Sequence, residues 1–255
     1  MLLALAAAPG CNSILGPTAP DENWRRYESA HFTLLARPGS FAEQQSATLA
    51  EVLEDQYAAT QAALGAAYTD RIWAFLYTSA ADAGLPSDRS GVAYPMTSAL
   101  RVTCVAPLDE NLYSVLGHEA NHVIEKNLIG RPGTSFMNEG LASALLSEHY
   151  HHNGPTYLHA WSAAHLAQIP AISDLADDDR WEGFEEHLAY TASGSFEAYV
   201  HGRFGAAVIR QIYVAPSGQF APRFEQAAGL PLAEADRNWR AFLQSSAGAV
   251  GVAVR

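Results

Sequence analysis

The sequence predicts an α+β fold: a small sheet early in the chain, a helix pair that carries the chemistry, and a mostly helical C-terminal part. Strand-type apolar runs bounded by Gly and Pro fall between residues 29 and 106, as short sheet strands require. From about residue 110 onward, apolar residues recur at helical spacing instead. Hydrophobic residues make up 49% of the chain and charged ones 16%, enough for one large packed domain. The net charge of −12 argues against nucleic acid as a partner, because binding a phosphate backbone needs clustered Lys and Arg. There is no internal repeat, no Gly-rich phosphate loop and no nucleophile elbow.

Residues 1–11 carry the apolar run from Leu2 to Ala8, then Pro9, Gly10 and Cys11. This is the pattern of a bacterial lipoprotein signal, although no Lys or Arg precedes the run. It predicts an extracytoplasmic protein anchored to the membrane through a lipidated Cys11. No other segment approaches the ~20 apolar residues of a membrane span. Residues 12–23, with Pro17 and Pro20, read as a tether, and 24–245 as the folded domain.

Within the domain, residues 29–36 form a strand stopped by Arg37, Pro38 and Gly39. Ser40 caps a helix over 41–66, with Leu49, Val52, Leu53, Tyr57 and Leu64 at helical spacing. Residues 71–78 are the next strand, 79–91 a loop with Gly84, Pro86 and Gly91, and 101–106 a further strand with a buried thiol at Cys104. No structural disulfide is expected. Beyond residue 150, helices are expected over 155–168, 193–205, 205–214 and 231–245, and the tail 246–255 frays.

Chemistry concentrates in His118-Glu119-Ala120-Asn121-His122. On a helix, His118 and His122 sit one turn apart on one face, so both imidazoles reach one cation. Leu112, Val115, Leu116, Ala120, Val123 and Ile124 give this segment helical spacing, and 128–133 ends it. Glu119 is placed to hold a metal-bound water rather than the metal. Zn²⁺ in a catalytic role takes three protein ligands and keeps an open position. A second helical pattern from Asn138 through Leu146 can return antiparallel and offer Glu139 as third ligand, for one Zn²⁺ per chain. A closed structural site would need a fourth ligand, such as Glu148 or His149. The three-histidine extension of the motif is absent, because Glu125 and Leu128 occupy its positions.

His118-Glu119-x-x-His122 followed by Asn138-Glu139-Gly140-Leu141-Ala142-Ser143 resembles the gluzincin metallopeptidases, the group of thermolysin and aminopeptidase N. From about Trp24 to Leu243 the chain is similar to the small bacterial peptidase MA-like domains of that clan. The resemblance implies a zincin-like fold over 24–245: a small mixed sheet and active-site helix pair to residue 150, then a helical part. It implies a zinc-dependent hydrolase of peptide bonds, acting on a peptide or protein substrate, with Glu119 as the base. It also implies a substrate-binding edge strand, placed here between Gly91 and Cys104, where β-addition uses main-chain hydrogen bonds. Ser143, one turn after Glu139, would orient a ligand histidine. Tyr190, ahead of a helix at Gly194, would donate to the oxyanion, with Tyr199 and His187 as weaker candidates. The interval from His122 to Glu139 is slightly shorter than in aminopeptidase N, which predicts a tighter turn.

The alternative is a non-catalytic lipoprotein that keeps a zincin scaffold for binding or envelope assembly. An intact Glu119 argues against it. The Gly-Ala-Met-Glu-Asn segment that anchors a free amine in aminopeptidases is missing; Tyr94-Pro95-Met96 is no substitute. The sequence therefore leaves endo- versus exopeptidase action open. His149, His151 and His152 read as a polar helix end. The acidic run Asp174 to Glu186 reads as a solvated loop that would favour basic substrate groups if it bordered the cleft.

Overall fold

The computed structural model describes residues 23–150 and 153–250. Cys11 with its proposed signal, His151 and His152, and residues 251–255 lie outside the described part. The chain is a mixed α+β protein with a five-stranded sheet. Among the described residues no helix is long and apolar enough to cross a membrane.

Strands β1 (Arg25–Glu28) and β2 (Phe32–Ala36) form an antiparallel pair. Ser40 then caps a short helix α1 (Phe41–Gln44) by accepting from Glu43 N, and α2 (Ser46–Leu64) follows after a break at Gln45. Gly65 ends α2 at φ 60°, the left-handed conformation that glycine adopts without a Cβ clash. The chain crosses to β3 (Ile72–Tyr77), parallel to β2. A one-turn helix α3 (Ala80–Ala83) lies where the sequence suggests only loop, capped by Ser79. The hairpin of β4 (Gly91–Tyr94) and β5 (Ala99–Thr103) follows. The order is β1-β2-β3-β5-β4, so the parallel strands are central and β4 is an edge. Of the stretch from Gly91 to Cys104, where the sequence places a substrate-binding edge, only β4 is an edge; β5 is interior, paired with both β3 and β4.

Helix α4 (Glu110–Leu128) starts at Asp109, whose carboxylate accepts from Leu112 N at 2.9 Å. Helix α5 (Ser135–Ala144) starts earlier than Asn138 because Thr134 caps it, accepting from Met137 N at 3.0 Å. Then come α6 (Pro155–Ala164), α7 (Ile172–Leu175), α8 (Asp178–Trp181), α9 (Glu186–Phe204), α10 (Ala206–Tyr213), α11 (Phe220–Ala228) and α12 (Leu232–Val250). Helix α9 begins well before residue 193, because the Glu185 carboxylate takes His187 N and Leu188 N. Tyr190 therefore sits inside the helix rather than ahead of it. Helix α12 continues to Val250, past the expected end at residue 245.

One core lies between the sheet and the α2/α4 layer, with Phe32, Leu34, Leu76, Leu100 and Val102 meeting Leu49, Leu53, Leu116, Ala120 and Val123. A second fills the C-terminal helices around Phe136, Phe196, Ile212, Phe224 and Trp239. Each such large side chain contributes roughly 1.5–3 kcal/mol on burial. Helix α4 belongs to the first core and α5 to the second, so the histidines and Glu139 lie on the seam between them.

Candidate metal centre

Two contacts set the position of α5 against its neighbours. Asn121, on the face of α4 away from the cleft, accepts from Gln56 Nε2 of α2 at 2.8 Å and donates to Ala142 O of α5 at 2.7 Å. Gln56 also donates to Leu145 O at 2.8 Å and accepts from Ser147 N at 2.9 Å. This buried network fastens three helices together. The second contact is the crossing of α5 over α9, where Gly140 and Gly194 leave no room for a side chain. A Cβ on Gly140 would lie 2.3 Å from Glu197 Oε1, and one on Gly194 would lie 3.1 Å from Ser143 Cβ. The same helix α9 brings Tyr190 against the His118 ring.

The outcome is a cluster of His118, His122 and Glu139. His118 Nε2 is 3.1 Å and His122 Nε2 3.4 Å from the same oxygen, Glu139 Oε2. The offered ligand atoms of the three residues lie within 4.8 Å of one another, close enough to hold one metal ion. Ligands of a tetrahedral ion at about 2.0–2.1 Å stand roughly 3.3 Å apart, so the spacing fits. Two imidazole nitrogens and a carboxylate oxygen suit zinc and other borderline divalent ions. His122 Nδ1 and Asn138 Oδ1 are buried without a partner among the described residues, a donor and an acceptor beside the cluster. Ser143 Oγ lies 3.4 Å from His118 Nδ1 and donates to Glu139 O at 2.9 Å. That contact directs His118 Nε2 toward Glu139.

The three side chains shift one another's titration strongly. Burial acts to raise the Glu139 carboxyl, but hydrogen bonds and charge from His118 and His122 outweigh it and hold it far below the ordinary range. Burial acts to lower His118, and Glu139 outweighs that too, raising its pKa. His122 is driven down to about 4 by burial and by the His118 charge. Glu119 is pushed up to about 7, by burial first and by Glu139, with the His118 charge opposing.

A cleft of about 550 Å³ opens over the cluster. His118, Glu119, His122, Glu139, Ser143, Tyr190 and His187 all line it. Tyr190 stacks on His118 with ring centroids 6.2 Å apart, and burial and the Glu139 charge raise its phenol pKa. The phenol is therefore neutral. Tyr199 does not reach the cleft; it packs on Phe242 in the C-terminal core. The edge strand contributes Gly91, Val92 and Ala93 to the wall. A Cβ on Gly91 would be 2.8 Å from both Glu119 Cγ and Val115 Cγ1, so only glycine lets β4 lie this close to Glu119.

Neither proposed closing ligand approaches the cluster. Glu148 accepts from Thr156 N at 2.7 Å, and His149 Nδ1 faces Asp55 at 3.4 Å. Of the acidic run, Glu186 lines the cleft and Asp178 a neighbouring cavity. Much of the run is helical, in α7 and α8, rather than open loop. Cys104 is buried, and burial pushes its thiol up to about 12, leaving it unreactive. The sequence gives no local sign of Gln56 or Asn121 as fasteners, because their pairing spans distant helices.

The class that these observations define is an α+β protein with a His/His/Glu cluster able to hold a metal ion at the floor of an open cleft. No protein-family model matches the chain, and no curated protein does. Among solved structures it is similar to an aminopeptidase N family protein from Idiomarina loihiensis, at 12% identity and a TM-score of 0.37. The match covers 88% of this chain and 42% of that one, so the chain spans less than half of that protein's length.

Proposed function

We propose that the chain is a zinc-dependent peptide-bond hydrolase of the gluzincin type, on a zincin-like scaffold, with Glu119 as its general base. The observation that supports this most is the convergence of His118, His122 and Glu139 on one point, with Glu119 beside them in an open cleft. His118 Nε2, His122 Nε2 and Glu139 would hold a Zn²⁺, which supplies Lewis acidity toward the attacking water and the scissile carbonyl. Glu119 takes a proton from the water as it attacks and delivers it to the leaving amine. Ser143 keeps His118 in the required tautomer and orientation. Tyr190, neutral and beside His118, donates its O–H to the carbonyl oxygen as charge grows there. The outer edge of β4 aligns the substrate main chain, which makes the site tolerant of side-chain identity.

The lipid anchor on Cys11 and an extracytoplasmic location belong to the same proposal, on the strength of residues 1–11 alone. Mass spectrometry of the N-terminal peptide from a membrane fraction checks it. The catalytic reading is tested by Glu119→Gln. That protein should retain zinc while peptide hydrolysis falls roughly 10²–10⁴-fold. Undiminished hydrolysis at equal zinc content sinks the assignment of Glu119.

A further inference from the structure

A second cavity, of about 680 Å³, adjoins the metal cleft and shares Lys126 and Asn138 with it. It lies where α4 ends and α5 begins, under the turn that follows β4. Pro95 and Met96 of that turn form one wall, and Lys126 and Arg131 stand on another. Lys126 is the chain's single lysine. It is partly buried on α4, one turn beyond His122, while Arg131 is exposed in the short connection to α5. Among the described residues neither side chain makes a hydrogen bond or a close ion pair. Lys126 lies in the field of Glu139, Glu125 and Glu119, so Arg131 is the cation on this cavity best placed to take a further anion, with Lys126 adding positive charge beside it. The acid on the same cavity, Asp178, accepts from Ser135 N at 2.8 Å through Oδ1 and, among the described residues, forms an ion pair with neither cation.

The edge strand links this cavity to the chemistry. Gly91, at the start of β4, lies against Glu119, and the strand then runs through Tyr94 to Pro95 and Met96. Among the described residues no strand pairs with the outer edge of β4. A peptide laid along it passes from Glu119 to the Lys126 and Arg131 wall in about three residues, roughly 10 Å of extended chain. The planar Arg131 fork matches a carboxylate bidentately, and the Lys126 ammonium adds a point charge from the cleft side.

We infer that Lys126 and Arg131 form a subsite for a substrate carboxylate, so that the preferred substrates are peptides with an acidic group about three residues from the cleaved bond. The inference rests on the hydrolase reading and adds the substrate class to it. The carboxylate is either an Asp or Glu side chain or the chain's own C-terminus.

The test uses zinc-loaded protein and alanine hexapeptides. One series is acetylated and amidated, with Asp or Asn placed at each position in turn. The other is unsubstituted, with a free or an amidated C-terminus. At one position kcat/KM should favour the acid by about tenfold or more. Arg131→Gln should shrink that ratio and Arg131→Glu should reverse it; Lys126→Gln should shrink it as well. Asp preference in amidated peptides assigns the subsite to a side chain, and preference for the free acid alone assigns it to the chain end. Cleavage with a ratio near one at every position overturns the subsite and leaves the hydrolase reading intact. So does a ratio that Arg131→Glu leaves unchanged. The same peptides are titrated calorimetrically into the Glu119→Gln protein. If nothing is cleaved, the hydrolase reading fails. Binding then decides the subsite alone, and equal Kd for acidic and amide peptides overturns it.

Discussion

His118 is held from both ends, by Glu139 at Nε2 and by Ser143 at Nδ1. Removing the Ser143 hydroxyl frees the ring to rotate and leaves Nδ1 without its contact. Ser143→Ala should therefore weaken zinc affinity about 10–100-fold while the fold is kept. Competition against a chromophoric chelator measures it, and unchanged affinity would remove Ser143 from the account. At this scale the site was largely legible in the sequence. Helical periodicity puts His118 and His122 on one face, and a tight return brings Glu139 back to them. The partners that fasten the site were not legible. Gln56 and Asn121 meet across 65 residues of chain, and neither carries a local pattern that announces the other.

The edge strand makes a sharper demand. β4 runs so close to α4 that a methyl group on Gly91 would occupy the space of Glu119 Cγ and Val115 Cγ1. Gly91→Ala must push the strand outward or turn Glu119 aside, at a cost of about 1–3 kcal/mol for overpacking. Zinc should remain bound while kcat/KM falls at least tenfold, in steady-state assays paired with metal analysis. Full activity in that variant would separate β4 from catalysis. Among the elements, apolar runs located β2 and β3 because central parallel strands are buried on both faces; β5 runs over Ala99–Thr103, two to three residues ahead of the expected 101–106, and leaves Cys104 just past its end. β1 was missed, since all four of its residues are exposed. The start of α9 was missed because Glu185 does the capping, a role that Ser, Thr, Asp and Asn fill far more often. Strand order was not legible, because pairing is settled by packing against α2 and α4.

Across the whole molecule, the two cores are joined at a buried acidic group. Glu125 on α4 and Glu197 on α9 are fully buried, and their carboxyl oxygens have no hydrogen-bond partner among the described residues. Burial pushes both well above the ordinary value of 4.5, and the Glu125 charge raises Glu197 further. The unfolded chain releases these protons from about pH 4.5 upward, whereas the native state keeps them. The stability that they contribute is thus complete below that pH. It falls as pH rises toward the native values, by about 1.4 kcal/mol per unit for each group. Glu197→Gln removes one share of that slope and should be the more stable protein at neutral pH. Urea unfolding between about pH 5 and 7 checks this, and identical slopes in the two proteins would contradict it.

The proposed hydrolysis requires a metal at the seam between those cores. The most direct measurement is the zinc content, by elemental mass spectrometry, of purified wild-type protein beside Glu139→Ala. One zinc per chain in the wild type, lost in the variant, is the predicted result. A wild type that does not take up zinc, or a variant that keeps its full complement, would contradict the account.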